Sequence, residues 1–122
     1  MRWLVDGMNL IGSRPDGWWR DRRGAMRRLV GELRAFAEAT GDEVAVVFDG
    51  RPFDVDGGGG VEVGFAPGGP NAADRAIADR VRDDGGATSL TVVTSDRELE
   101  SAVRAAGAAV EGSGTFRRRL DG

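Results

Sequence analysis

The chain has 122 residues, 40% of them apolar and 30% charged, with a net charge of −3. That size and mix suit one globular domain with a real core. It contains no His, Cys or Tyr, and all 17 basic residues are arginine, which excludes Ser-His-Asp and Cys-His catalysis, histidine or thiolate zinc sites, disulfides, Schiff bases and a Walker lysine.

An apolar strand opens the chain over Arg2–Val5 and runs into Asp6-Gly7. Residues 7–20, with Pro15, Gly17 and the pair Trp18-Trp19, read as loop. From Asp21 to Thr40 the positions Met26, Leu29, Val30, Leu33, Phe36 and Ala37 follow the spacing of an amphipathic helix, which Gly41 ends. Val44–Phe48 is a continuous apolar run of β-branched character, as in a central parallel strand covered on both faces. Residues 50–60 are loop, with Asp54 and Asp56 solvated beside four successive glycines; Val61–Phe65 is a further strand. After the break Pro67–Pro70, Asn71 is expected to cap a helix that runs to Asp84 and stops at Gly85-Gly86. Leu90–Val93 is a second continuous apolar strand, Ser95–Ala106 a helix, and Ala108–Val110 a last short strand before a tail ending in Phe116–Leu120.

Strands alternating with helices at this spacing predict a single α/β domain, a three-layer sandwich around a mostly parallel sheet of about five strands. Right-handed crossovers then place the ends of the first, second and fourth strands on one edge, where ligands bind in such folds. No apolar run approaches the roughly 20 residues of a membrane helix, and no leader with a cleavage site is visible, so a cytoplasmic protein is expected.

Four aspartates fall at that edge: Asp6 and Asp49, each in a strand-Asp-Gly exit, Asp74 in the helix that Asn71 opens, and Asp96 after the fourth strand. Asp6 and Asp49 also suit strand-exit turns. Ser95-x-x-Glu98 has the form of a capping box, so the serine would cap the helix while Asp96 faces the crevice. Asp74 is the most discriminating, because it lies about 20° from Val81 and about 60° from Ile77 around the helix, on the inward side. Asp79 falls on the solvent side, and Asp83 and Asp84 read as helix-end solvation. Four carboxylates in one cleft repel one another unless a divalent cation sits between them. With only carboxylate, amide, hydroxyl and guanidinium groups available, that cation is a hard one such as Mg²⁺ or Mn²⁺. The net charge is +3 over residues 1–40, −8 over 41–112 and +2 over 113–122, a polarity that fits an acidic metal site rimmed by phosphate-binding arginines.

VDGMN near the start, FDG after the second strand, NAAD opening a helix and TSDRE after the fourth strand together resemble the NYN branch of the PIN-like nucleases, most closely the YacP-like NYN proteins. The likeness spans nearly the whole chain, with four motifs in order. It implies an endoribonuclease that uses Mg²⁺ or Mn²⁺ on a PIN-like sandwich, hydrolysing RNA by in-line attack to leave a 5′-phosphate and a 3′-hydroxyl. Asp6, Asp49, Asp74 and Asp96 match the family's acidic positions, and Asn9 its asparagine, there to orient a water or the backbone. Glu98 stands where many PIN-type domains carry a second aspartate, so Glu98 and Ser95 are secondary candidates. The chain is short after its last strand, and a C-terminal helix is expected only around Thr115–Leu120.

Substrate contacts fall to Arg14, Arg20, Arg22 and Arg23, with Trp18 and Trp19 stacking on the bases of single-stranded RNA or, for at least one of them, packing on the helix or mediating a dimer contact. Arg27, Arg28 and Arg34 read as a solvated helix face, and Arg117–Arg119 as a phosphate arm or a frayed end. A receiver-like phosphoryl-transfer domain would need a lysine beside its acids. A catalytically silent RNA-binding or ribosome-associated module on the same fold is the alternative from another class, and a toxin of a toxin–antitoxin pair a third. Oligomeric state is open.

Overall fold

The computed structural model describes residues 1–55 and 57–122; Asp56, expected in the glycine loop, lies outside them. Strand β1 (Arg2–Asp6) leads directly into helix α1 (Gly7–Gly12), then a 3-10 turn at Trp18–Arg20, helix α2 (Arg22–Thr40) and strand β2 (Glu43–Asp49). Strand β3 (Val61–Ala66), helix α3 (Ala72–Asp83) and strand β4 (Leu90–Val93) follow, and helix α4 (Arg97–Ala105), strand β5 (Ala109–Glu111) and helix α5 (Ser113–Asp121) complete the chain. The five strands are all parallel, in the order β3-β2-β1-β4-β5. The chain winds outward from β1 in one direction and returns in the other, so the switch point lies between β1 and β4.

The period-2 alternation of the strands divides the core. Trp3, Val5, Val44, Val46 and Phe48 pack with Leu29, Leu33 and Phe116 under α1, α2 and α5. Leu4, Val47 and Val92 pack on the opposite face with Ile77, Val81, Leu99 and Val103 of α3 and α4. Helices on both faces explain why β2 and β4 are apolar at nearly every position. No helix among the described residues is long and apolar enough to cross a membrane.

Residues 7–20 depart from the expected loop. Helix α1 has only six residues and no side-chain cap, too short for a periodic signal, yet it buries Leu10 and Ile11. Its first residue must be small: a Cβ on Gly7 would stand 2.4 Å from the Phe48 ring. Helix α5 is also longer than expected, starting at Ser113. Its arginines are neither an arm nor frayed, because Arg117 pairs with Glu32 and Arg119 with Glu111. Nor is the outer face of α2 merely solvated: Arg27 donates to the Asp54 carbonyl at 3.2 Å and Arg34 to that of Gly57 at 2.9 Å, tying down the loop after β2.

The amino-terminal edge carries its own polar ties. Asp84 does more than solvate a helix end, since it accepts two bonds from Arg2 at 2.7 and 3.2 Å and one from the Gly86 amide at 2.7 Å. Asp42 accepts from the Trp3 indole at 2.9 Å.

Candidate active site

The same alternation that sorts the core also aims the acids. Leu4 and Val47 point toward α3 and α4, so Asp6 and Asp49, two residues further along each strand, continue on that side past the carboxyl ends. Asp6 pairs in register with Val47, and Val5 with Val93, which brings Thr94 level with Asp6. Helices α3 and α4 begin at this edge, Asp74 in the first turn of one and Asp96 at the N-cap of the other. Their positive dipole ends favour negative charge there.

Both helices are capped differently from the sequence expectation. Asn71 occupies the N-cap position of α3 in a left-handed conformation and makes no side-chain cap bond. Asp49 reaches across from β2, and its Oδ1 accepts from the Ala73 amide at 2.9 Å. At α4, Asp96 itself is the cap, its Oδ1 accepting from the Leu99 amide at 3.0 Å, so the Ser95–Glu98 capping box does not form. The Ser95 hydroxyl instead accepts from the Ser113 amide at 2.9 Å. At α3 the capping oxygen arrives from elsewhere in the fold, whereas at α4 the cap remains local and falls one residue later than expected.

Two further side chains complete the edge and were not singled out from sequence. Thr94, fully buried, donates its hydroxyl to Asp6 Oδ2 at 2.9 Å and accepts from the Asp96 amide at 3.1 Å. Ser113, also buried, donates to Asn9 Oδ1 at 2.6 Å, and the same oxygen accepts from the Ser95 amide at 2.9 Å. The available signal was Thr94 itself, a polar residue continuing the inward phase of an apolar strand. Ser113 gives no such signal. Asn9 therefore joins α1, the end of β4 and the start of α5.

Asp6 is only 4% exposed. Burial pushes its carboxyl up to about 6, and the charges of Asp74 and Asp49 add to this; the Thr94 hydroxyl and the Asn9 amide act in the opposite direction. Asp74 is raised too, by burial first and then by Asp96, Asp49 and Glu98, with Arg75 opposing. Asp74 thus lies within electrostatic reach of Asp6, Asp49, Asp96 and Glu98, and Asp6 also of Asp49. Among the described residues, no three carboxylates stand close enough to ligate one ion together. The donors are all hard oxygens around one buried, costly charge. That chemistry fits a cation such as Mg²⁺, which takes one or two carboxylates and keeps several waters.

Of the expected substrate contacts, three face solvent beside this edge or the turn before α2. Arg22 borders a shallow depression of about 330 Å³ with Asp49, Gly50 and Pro70. Trp19 is 57% exposed, with the Arg20 guanidinium 6.0 Å from its ring centroid. The other three are engaged: Arg14 pairs with Asp121, Arg23 lies 4.9 Å from the centre of the Phe53 ring, and Trp18 packs against the core.

The family model of the YacP-like NYN domain matches residues 3–122. Among solved structures, Rae1 (YacP) from Bacillus subtilis aligns at 26% identity with a TM-score of 0.80, over 99% of this chain and 74% of that one. Its W164L mutant aligns at 27% identity with a TM-score of 0.81, over 98% and 74%. No curated protein matches the sequence.

Proposed function

The chain belongs to the YacP-like NYN family, a relative of the PIN-like nucleases, and from that premise we propose that it is a metal-dependent endoribonuclease whose acidic edge hydrolyses RNA phosphodiester bonds. One observation carries the reading: Asp6 is buried, held near 6, and opposed by the neighbouring charges of Asp74 and Asp49. An ionised carboxylate in that position destabilises the protein unless positive charge joins it, and among the described residues no arginine pairs with it.

Asp6, Asp49, Asp74 and Asp96 are the residues that would hold Mg²⁺ or Mn²⁺, one or two of them directly and the others through its waters, with Glu98 within electrostatic reach of Asp74. Such a cation supplies a lowered pKa for an attacking water and positive charge against the phosphate oxygens. The chain's own part is positioning. Thr94 fixes the Asp6 carboxylate, while Asp49 and Asp96 each place a helix start with one oxygen, leaving the other for the cleft. Asn9 and Ser95 hold α1 and α5 against the end of β4. Arg22 stands where a phosphate beside Asp49 would meet a cation, and Trp19 offers a stacking surface for an unpaired base. Single-stranded RNA in the cytoplasm is the substrate this arrangement suits.

The capping bonds of Asp49 and Asp96 favour a second reading, a silent RNA-binding module in which the acids are purely structural. Incubating labelled single-stranded RNA with Mn²⁺, beside EDTA and Asp49→Asn controls, separates the two. Cleavage that needs Mn²⁺ and Asp49 supports the nuclease. RNA binding without cleavage under every condition supports the silent module.

A further inference from the structure

On the face of the sheet opposite the acidic edge, a groove of about 520 Å³ opens between α2, the segment after α1, and α5. This volume lies in the range of sites that enclose a small organic ligand. Three arginines, Arg14, Arg28 and Arg117, line it beside Trp18, together with the acids Asp16 and Glu32. Two of them are balanced, Arg14 by Asp121 and Arg117 by Glu32 at 2.9 Å. Arg28 has no ion pair or side-chain hydrogen bond among the described residues.

Along α2 the groove floor is built from Ala25, Arg28, Gly31 and Ala35, which share one helical stripe. The space above Gly31 is open, with no atom within 4 Å of where a Cβ would stand. The result is a flat, small-residue floor with an aromatic wall and a cation that no described residue pairs.

An inorganic anion would use the cation and not the ring; an apolar segment would use the ring and leave the cations without a partner. A nucleotide uses both. We propose that this groove is a nucleotide-binding subsite, with the base against Trp18 and the phosphate against Arg28. The assignment of that nucleotide to an RNA substrate rests on the nuclease reading above. Arg22 at the start of α2 borders the Asp49 depression, and Arg28, six residues on, lies about 9 Å further along the helix. A strand leaving the acidic edge along α2 reaches the groove within a few nucleotides.

The test is a titration of adenosine 5′-monophosphate into ¹⁵N-labelled protein in EDTA, following the indole N–H signals of the three tryptophans. The Trp18 indole and the Arg28 amide should shift saturably, with inorganic phosphate or adenosine alone binding about fivefold or more weakly. Arg28→Ala, at an exposed helical position that alanine suits, should weaken the nucleotide by about fivefold or more. Shifts confined to Trp19 or to the Asp49 edge, phosphate binding as well as the nucleotide, or full affinity in Arg28→Ala would overturn the proposal. So would the lack of any saturable shift at roughly 10 mM ligand. No metal is present in this titration, so its outcome does not depend on catalysis: a saturable nucleotide shift here, beside no RNA cleavage in the separate Mn²⁺ assay, would leave the groove standing and sink only the nuclease reading.

Discussion

Replacing Asp6 by Asn should make the metal-free protein more stable at neutral pH while removing Mn²⁺-dependent cleavage. Burial and the charges of Asp74 and Asp49 raise the Asp6 carboxyl from 3.8 to about 6, which corresponds to about 3 kcal/mol against its ionised form. The folded protein keeps this proton between pH 4 and 6, where the unfolded chain has already released it. Native protein therefore binds more protons in that window, and stability falls as pH rises through it, then levels above about 6. The substituted asparagine cannot ionise, and its amide oxygen can still accept from the Thr94 hydroxyl. Its NH₂ group faces the field of two carboxylates rather than opposing it. Allowing for an imperfect fit, the gain at pH 7.5 should be about 1–3 kcal/mol, shrinking toward zero near pH 4. Urea unfolding in EDTA, followed by tryptophan fluorescence at pH 4, 5.5 and 7.5, measures it. A variant less stable than wild type at pH 7.5, or a difference that does not change with pH, would refute the reasoning.

Mn²⁺ at millimolar concentration should raise the melting temperature at pH 7.5, do so less at pH 5 where protons compete for Asp6, and lose most of the effect in Asp49→Asn; calorimetry with and without EDTA reads this directly. Gly7→Ala should cost about 1–3 kcal/mol in urea unfolding, because the new methyl would stand 2.4 and 2.5 Å from two Phe48 ring atoms. Asp84→Asn should destabilise the protein at pH 7. The Arg2 bonds hold the Asp84 carboxyl below its ordinary value, so their contribution is present above pH 4 and lost as pH falls through that lowered value. A wild-type advantage over Asp84→Asn that persists unchanged to pH 2 would contradict it.

The sheet could be read from the sequence because its strands obey simple patterns. Val44–Phe48 is a continuous apolar run and Leu90–Val93 is interrupted only by Thr91, the pattern of parallel strands covered on both faces. The placement of Asp6 and Asp49 followed from strand ends alone, and the inward phase of Asp74 from helical periodicity; it is indeed half-buried. What could not be read was every bond made across long separations. Asn71 and Ser95 satisfy local rules for helix caps, but Asp49 comes from 24 residues before Ala73, and Ser95 is taken by Ser113, 18 residues on. The six residues of α1 carry too little periodicity to signal a helix. Trp18 and Trp19 are adjacent and alike in sequence, and only the packing separates a half-buried ring from an exposed one.

The bonds at the carboxyl edge also set when that edge can exist. Asp6 and its Thr94 donor are 88 positions apart, and Asn9 and Ser113 are 104 apart. Closing such long loops comes late, after local helices and neighbouring strands have formed. During synthesis, which proceeds at roughly 5–20 residues per second, a chain emerged only as far as β3 displays Asp6 and Asp49 without the hydroxyl, the caps or the α5 anchor that order them. The acidic edge is thus assembled by the last third of the chain. A partly made molecule has its carboxylates in place along the sequence but no organised cleft in which to use them.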